Sequence, residues 1–123
     1  MTGERTLTVR VRTVPEAVVV AAIGDLDLGT APMLLARAGA VLAGRPGALI
    51  VDLDGIGFCG SAGLQVLAQL VARTSAGGVP LAVVANRHAV LRVVRLTRLD
   101  EVFTLHATVD DACAWVRRQR GSD

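Results

Sequence analysis

Lysine is absent from this 123-residue chain, so all 13 of its basic residues are arginines. A phosphate-binding loop lysine, a Schiff-base lysine and a lysine general base are therefore excluded. Aromatic residues are scarce as well, because Phe58, Phe103 and Trp115 are the only three. A net charge of +2 and so few rings for base stacking argue against nucleic-acid binding.

Cysteine and long apolar runs are also in short supply. Cys59 and Cys113 are too few for a disulfide framework, and neither they nor His88 and His106 show metal-ligand spacing. The longest apolar run, residues 17–23, is far shorter than a membrane span, and no signal peptide is visible near the N-terminus. We therefore expect a cytoplasmic protein without metal, cofactor or membrane association.

Short apolar segments alternate with amphipathic ones along the whole chain. Strands are predicted at residues 7–11, 17–23, 48–53, 81–85 and 102–105. Helices are predicted from a Thr30 cap to about residue 42, from Ser61 to the glycines at 77–78, from an Asn86 cap to about residue 96, and at residues 109–120. This alternation predicts one α/β domain, residues 1–123, with about five strands in a mixed, mostly parallel sheet and about four helices.

The second predicted helix begins after a glycine-rich segment, residues 54–60, which is interpreted as a loop. The hydroxyl of Ser61 would serve as the cap of this helix. More glycines surround this serine than a cap requires, which indicates clearance for something that approaches the helix start. These glycines are Gly55, Gly57, Gly60 and Gly63.

Two functional hypotheses compete at Ser61. A hydrolase elbow needs the pattern Gly-x-Ser-x-Gly, but Cys59 occupies the first glycine position, and neither downstream histidine has the setting of a positioned base. The other hypothesis is regulatory phosphorylation, since a phosphoserine at a helix start is favoured by the dipole and its charges can repel a docked partner.

The spacing of apolar and charged residues distinguishes the sides of the second and third predicted helices. In the second helix, apolar spacing predicts a core-facing side of Leu64, Leu67, Ala68 and Val71, with Gln65, Gln69 and Arg73 on the opposite side. The third helix carries a series of arginines, either as a basic side or as a solvated face with ion pairs to acidic neighbours. These arginines are Arg87, Arg92, Arg95 and Arg98.

Four motifs together resemble the STAS domain of bacterial anti-sigma factor antagonists, over about residues 7–116. They are GDLD at 24–27, VDLDG at 51–55, FCGSAGL at 58–64 and LTRLDEVF at 96–103. The resemblance implies a partner switch, in which the unphosphorylated antagonist binds an anti-sigma factor that is also an ATPase-type serine kinase, and thereby frees a sigma factor. Phosphorylation of Ser61 would break that complex, and a phosphatase acting on phospho-Ser61 would restore it.

The resemblance also implies where the partner binds and that the domain itself is not catalytic. The residues expected at the partner surface are Asp25, Asp27, Thr30, Gly60, Ser61, Ala62, Gln65 and Gln69. The alternatives are a STAS-domain subunit of a stressosome-like or lipid-transport assembly and, less favoured, a serine hydrolase.

Three positions depart from the family pattern. Gly60 stands where an acidic residue is often found, Ala62 stands where serine or threonine is common, and Arg98 replaces a frequent glycine. Two explanations exist for Gly60: the partner supplies the missing charge, or the backbone there needs a positive φ. We favour the first.

Overall fold

Five strands form one sheet in the order in which they occur along the chain, and the first strand is antiparallel to the second while the other neighbours are parallel. The computed structural model describes residues 6–121. The strands are β1 Leu7–Thr13, β2 Val18–Leu26, β3 Leu49–Cys59, β4 Leu81–Val84 and β5 Thr104–His106. The helices are α1 Ala31–Ala43, α2 Ser61–Gly77, α3 His88–Leu96 and α4 Val109–Arg120, with a 3₁₀ turn at Leu99–Glu101. The predicted fold class is confirmed.

The helices cover the two faces of the sheet unequally. Leu34 of α1, Leu67 of α2 and Val94 of α3 belong to one buried cluster, so these three helices pack on the same face. A second cluster on the other face contains Cys113 and Val116 of α4. Both clusters are made almost wholly of aliphatic side chains, as the scarcity of aromatic residues predicts.

The predicted loop at residues 54–60 is wrong, because β3 continues to Cys59 and pairs with the end of β2. β2 in turn runs to Leu26, beyond its predicted end. The pairing contains two register shifts. Gly55 passes so close to β2 that a Cβ there would lie 2.8 Å from Cγ1 of Ile23. Gly55 therefore allows two irregular strands to approach each other.

The inward face of α2 lies one residue earlier than predicted. Its buried residues are Gly63, Val66, Leu67, Leu70 and Thr74, whereas Ala68 is exposed. Gly63 sets this register, because a Cβ there would lie 3.0 Å from both Sγ of Cys59 and Cβ of Leu26. Only a residue without a side chain lets the first turn approach the sheet so closely.

Two other local predictions need correction. Asn86 does not cap α3, because Arg87 occupies the N-cap position and the N–H of Asn86 donates to Oδ1 of Asp54, at 3.2 Å. β5 begins at Thr104 rather than at residue 102, because the 3₁₀ turn comes first and leaves Val102 exposed. By contrast, α4 has the predicted bounds.

Candidate functional site

The paired ends of β2 and β3 bring two segments of the sequence together. Leu26 lies beside Cys59 in the sheet, and the N–H of Gly60 donates to the carbonyl of Leu26, at 2.9 Å. β2 ends here at Leu26, and α2 begins here with Ser61. Residues 25–30, which we call the 25–30 loop, comprise the end of β2 and the turn that follows it, and they lie beside the start of α2.

Hydrogen bonds of its own hold the 25–30 loop in shape. Oδ1 of Asp27 accepts from the N–H groups of Gly29, at 2.9 Å, and Thr30, at 3.0 Å. The hydroxyl of Thr30 donates to the carbonyl of Asp25, at 2.6 Å, and accepts from the N–H of Asp27, at 3.0 Å. Thr30 is buried and occupies the N-cap position of α1, as predicted, but its side chain makes no capping hydrogen bond. Its hydroxyl holds the loop instead.

Ser61 is the first residue of α2 and is exposed to solvent. The N-cap is Gly60, so the interpretation of Ser61 as the cap is wrong. The first amides of a helix have no acceptors within the helix, and the helix dipole adds partial positive charge at this end. A phosphoryl group on the Ser61 hydroxyl would therefore meet a favourable field from its own helix.

A surface depression of about 340 Å³ surrounds Ser61. Its lining comprises Asp27, Leu28, Phe58, Gly60, Ser61, Ala62 and Gln65. A smaller groove of about 150 Å³ between α1 and α2 shares Leu28, Ala62 and Gln65 with it and reaches Gln69. Neither lining includes a basic side chain. We call the residues of the depression, together with Gln69, the switch surface.

The sequence interpretation missed two members of the switch surface. Leu28 is 84% exposed on the 25–30 loop, and Phe58 is 40% exposed on β3 just before Ser61. An apolar residue between Asp27 and Gly29, inside an otherwise polar turn, is the signal that could have identified Leu28. Phe58 was missed because residues 54–60 were predicted to form a loop rather than the end of β3. Of the predicted residues, Gln65 and Gln69 are exposed, whereas Asp25 and Asp27 are half-buried.

No histidine lines the depression around Ser61 or the neighbouring groove. His106 lies on β5, where its Nε2 is 3.0 Å from Oγ1 of Thr104 and its ring packs against Trp115. Cys59 is buried, and burial raises the pKa of its thiol, so the thiol stays protonated near neutral pH. Within residues 6–121, no group of three His, Cys, Asp or Glu side chains is placed to hold a metal ion.

The same part of the chain contains no helix that is both long enough and apolar enough to cross a bilayer.

A larger depression, of about 590 Å³, lies where α1 and α2 end. Arg45 and Arg73 contribute to its lining.

Two of the three departures from the family pattern acquire a structural meaning. Gly60 has φ −94° and ψ −174°, an extended conformation open to any residue. A need for positive φ therefore does not explain this glycine. Arg98 has φ 58° and ψ 25°, the left-handed conformation that glycine adopts most easily.

Comparisons with known proteins agree with this geometry. A model of the STAS domain family matches residues 8–112. The anti-sigma-F factor antagonist RsfB of Mycobacterium tuberculosis is 38% identical over 97 residues, which are 79% of this chain and 79% of RsfB. A crystal structure of an anti-sigma factor antagonist from Mycobacterium paratuberculosis superposes with a TM-score of 0.82 at 38% identity, over 91% of this chain and 95% of that chain.

A more distant structure supports the fold alone. The anti-sigma factor antagonist SpoIIAA, in its unphosphorylated form, superposes with a TM-score of 0.73 at 18% identity, over 94% of this chain and 99% of that chain.

Proposed function

This chain belongs to the STAS domain family, and from that premise we propose that it is an anti-sigma factor antagonist switched off by phosphorylation of Ser61. In this proposal, the whole chain acts as one STAS domain in the cytoplasm, without a cofactor, a metal or catalysis of its own. Its partner is an anti-sigma factor that is also an ATPase-type serine kinase, and a phosphatase reverses the modification. The 38% identity to RsfB, an antagonist of this class, supports the proposal.

The observation that carries the proposal is the position of Ser61 within the switch surface. Ser61 is exposed at a helix start, and the surrounding depression is lined by apolar and amide groups and the acidic Asp27, without a basic side chain. A docked partner would cover this surface and bury Ser61. A phosphoserine carries nearly two negative charges at neutral pH, and burying them without a basic group in the lining is unfavourable.

Leu28 is the anchor of the proposed complex. A leucine at 84% exposure gains the most from burial, and the hydrogen bonds of the 25–30 loop hold it in place before binding. The loop therefore loses little conformational freedom when a partner docks. Because these bonds do not involve Ser61, we expect phosphorylation to block docking without rearranging the loop.

The test is a binding screen followed by a modification assay. The purified chain is presented to each histidine-kinase-like ATPase encoded in its source genome, and the bound ATPase is then incubated with the chain and ATP. We expect one ATPase to bind and to add one phosphoryl group, detected by intact mass, to the native chain but not to Ser61→Ala. Binding to none of them, or labelling of Ser61 by a fluorophosphonate probe, would contradict the proposal.

A further inference from the structure

We propose that the exposed side of α3 and the turn after it form a second interaction surface, which takes an acidic protein segment with apolar side chains. The residues of this α3 surface are Arg87, Arg92, Arg95, Leu96, Arg98 and Val102. The inference is independent of the function proposed for the switch surface.

The arginines of the α3 surface are exposed, and none has a carboxylate partner among residues 6–121. The ion pairs to acidic neighbours that a solvated face would contain are therefore not formed. Arg92 and Arg95 are three residues apart in the helix, which puts their side chains on the same side. α3 and its N-cap therefore carry three exposed arginines and no acidic side chain, and the carboxylates of Asp100 and Glu101 lie only in the turn that follows.

Arg95 lies in the last turn of α3, where the helix dipole favours a cation, but the other three arginines oppose the stability of the elements that carry them. α3 has no acidic residue in its first turn, and Arg87 sits at its N-cap, where the helix dipole disfavours a cation. Arg92 and Arg95 repel each other across one turn. Arg98 holds a left-handed backbone, with φ 58°, that is unfavourable for any residue with a Cβ. Folding of the domain therefore does not account for Arg87, Arg92 and Arg98.

Two large apolar side chains accompany the arginines. Leu96 is 72% exposed at the end of α3, and Val102 is 57% exposed after the 3₁₀ turn. Arginine together with exposed apolar groups is typical of protein interfaces. The exposed carboxylates of Asp100 and Glu101 would repel a uniform polyanion such as DNA, and the surface contains no aromatic ring for base stacking. Charge complementarity therefore favours an acidic protein segment.

The experiment measures the fluorescence anisotropy of a labelled helical peptide with glutamates along one side and leucines beside them. We expect the native chain to bind it. The double variant Arg92→Glu/Arg95→Glu and the uncharged change Leu96→Ser should each weaken binding by about tenfold. The matched control Arg10→Glu/Arg12→Glu makes the same change in net charge on β1 and should shift the affinity by less than about twofold.

Several outcomes would overturn the proposal. No binding of the peptide by the native chain would refute the proposal. Equal weakening by the β1 control would show that the peptide responds only to net charge. Tighter binding of a DNA duplex or of phosphatidylserine vesicles, lost in the same α3 variants, would assign the surface to another kind of partner. A lower melting temperature for Arg87→Glu would show that the arginine stabilises the fold, whereas we expect an unchanged or higher value.

Discussion

The change Gly60→Asp tests how the start of α2 is built. Gly60 is the N-cap of the helix that presents Ser61, and its extended backbone, with φ −94°, accepts an aspartate without strain. An aspartate in this position can accept a hydrogen bond from a first-turn amide, and its charge interacts favourably with the helix dipole. We therefore expect a more stable protein.

The magnitude follows from four contributions. Replacing glycine with a residue of fewer unfolded conformations stabilises by about 0.4–1 kcal/mol. An aspartate cap is better than glycine by a few tenths of a kcal/mol, and the dipole adds about 0.3–1 kcal/mol. Against this, a Cβ at position 60 would lie 3.3 Å from Cε2 of Phe58, a tight contact that the partly exposed ring can relieve. The net expectation is about 1 kcal/mol, or roughly 4 °C in melting temperature.

The assay combines a thermal melt with single-turnover phosphorylation by the cognate kinase. Gly60→Asp should melt higher than the native chain and be phosphorylated at least as fast. Gly60→Asn is the matched control, because it caps without charge and should give only part of the gain. Gly63→Ala should melt lower, since its Cβ would meet Leu26 and Cys59 at 3.0 Å. A large fall in melting temperature for Gly60→Asp, with slower phosphate transfer, would refute this reasoning.

Three further predictions concern other parts of the molecule. Arg98→Gly should raise the free energy of unfolding by about 1 kcal/mol, because relief of the left-handed strain exceeds the entropy cost of glycine; a lower melting temperature would contradict this. Gln65→Glu/Gln69→Glu should leave the melt unchanged and weaken binding to the anti-sigma factor in calorimetry; unfolding would mean that these exposed amides are structural. Leu28→Ala should weaken that binding by about 1–2 kcal/mol, while Val11→Ala, an exposed apolar control on β1, should not; equal effects would remove Leu28 as the anchor.

The sequence was sufficient to predict the bounds of an element where a single hydrophobic pattern runs through the whole element. α4 shows its 3.6-residue pattern clearly, with Ala112, Cys113 and Val116 buried, so both its bounds and its inward face were predictable. The buried strand β4 stands out as a continuous apolar run and was predicted within one residue. The alternation of such strands and helices along the chain was enough to predict a mostly parallel sheet.

Tertiary packing decided the features that the sequence pattern misrepresented. The glycines before Ser61 resemble a loop, but they belong to a strand pair that must pass closely, as the contact of Gly55 with Ile23 shows. The register of α2 depends on Gly63 against Leu26, and this contact joins segments that are far apart in sequence. A helical wheel cannot contain that information.

In the candidate site too, some features could be predicted from the sequence and others depend on how the chain folds. Ser61 and the two exposed glutamines could be recognised from motif and spacing. The role of Thr30 inside the 25–30 loop, and the exposure of Leu28 beside Ser61, depend on how that loop folds. Local hydrogen bonds among Asp27, Gly29 and Thr30 fix this shape.

The central claim is that phosphorylation of Ser61 controls binding to an anti-sigma factor. Isothermal titration calorimetry of one anti-sigma factor, against the chain before and after stoichiometric phosphorylation, tests it most directly. The account predicts that the unphosphorylated chain and Ser61→Ala bind with similar affinity, whereas the phosphorylated chain binds at least about tenfold more weakly. Equal affinity of the phosphorylated and unphosphorylated chains would contradict it.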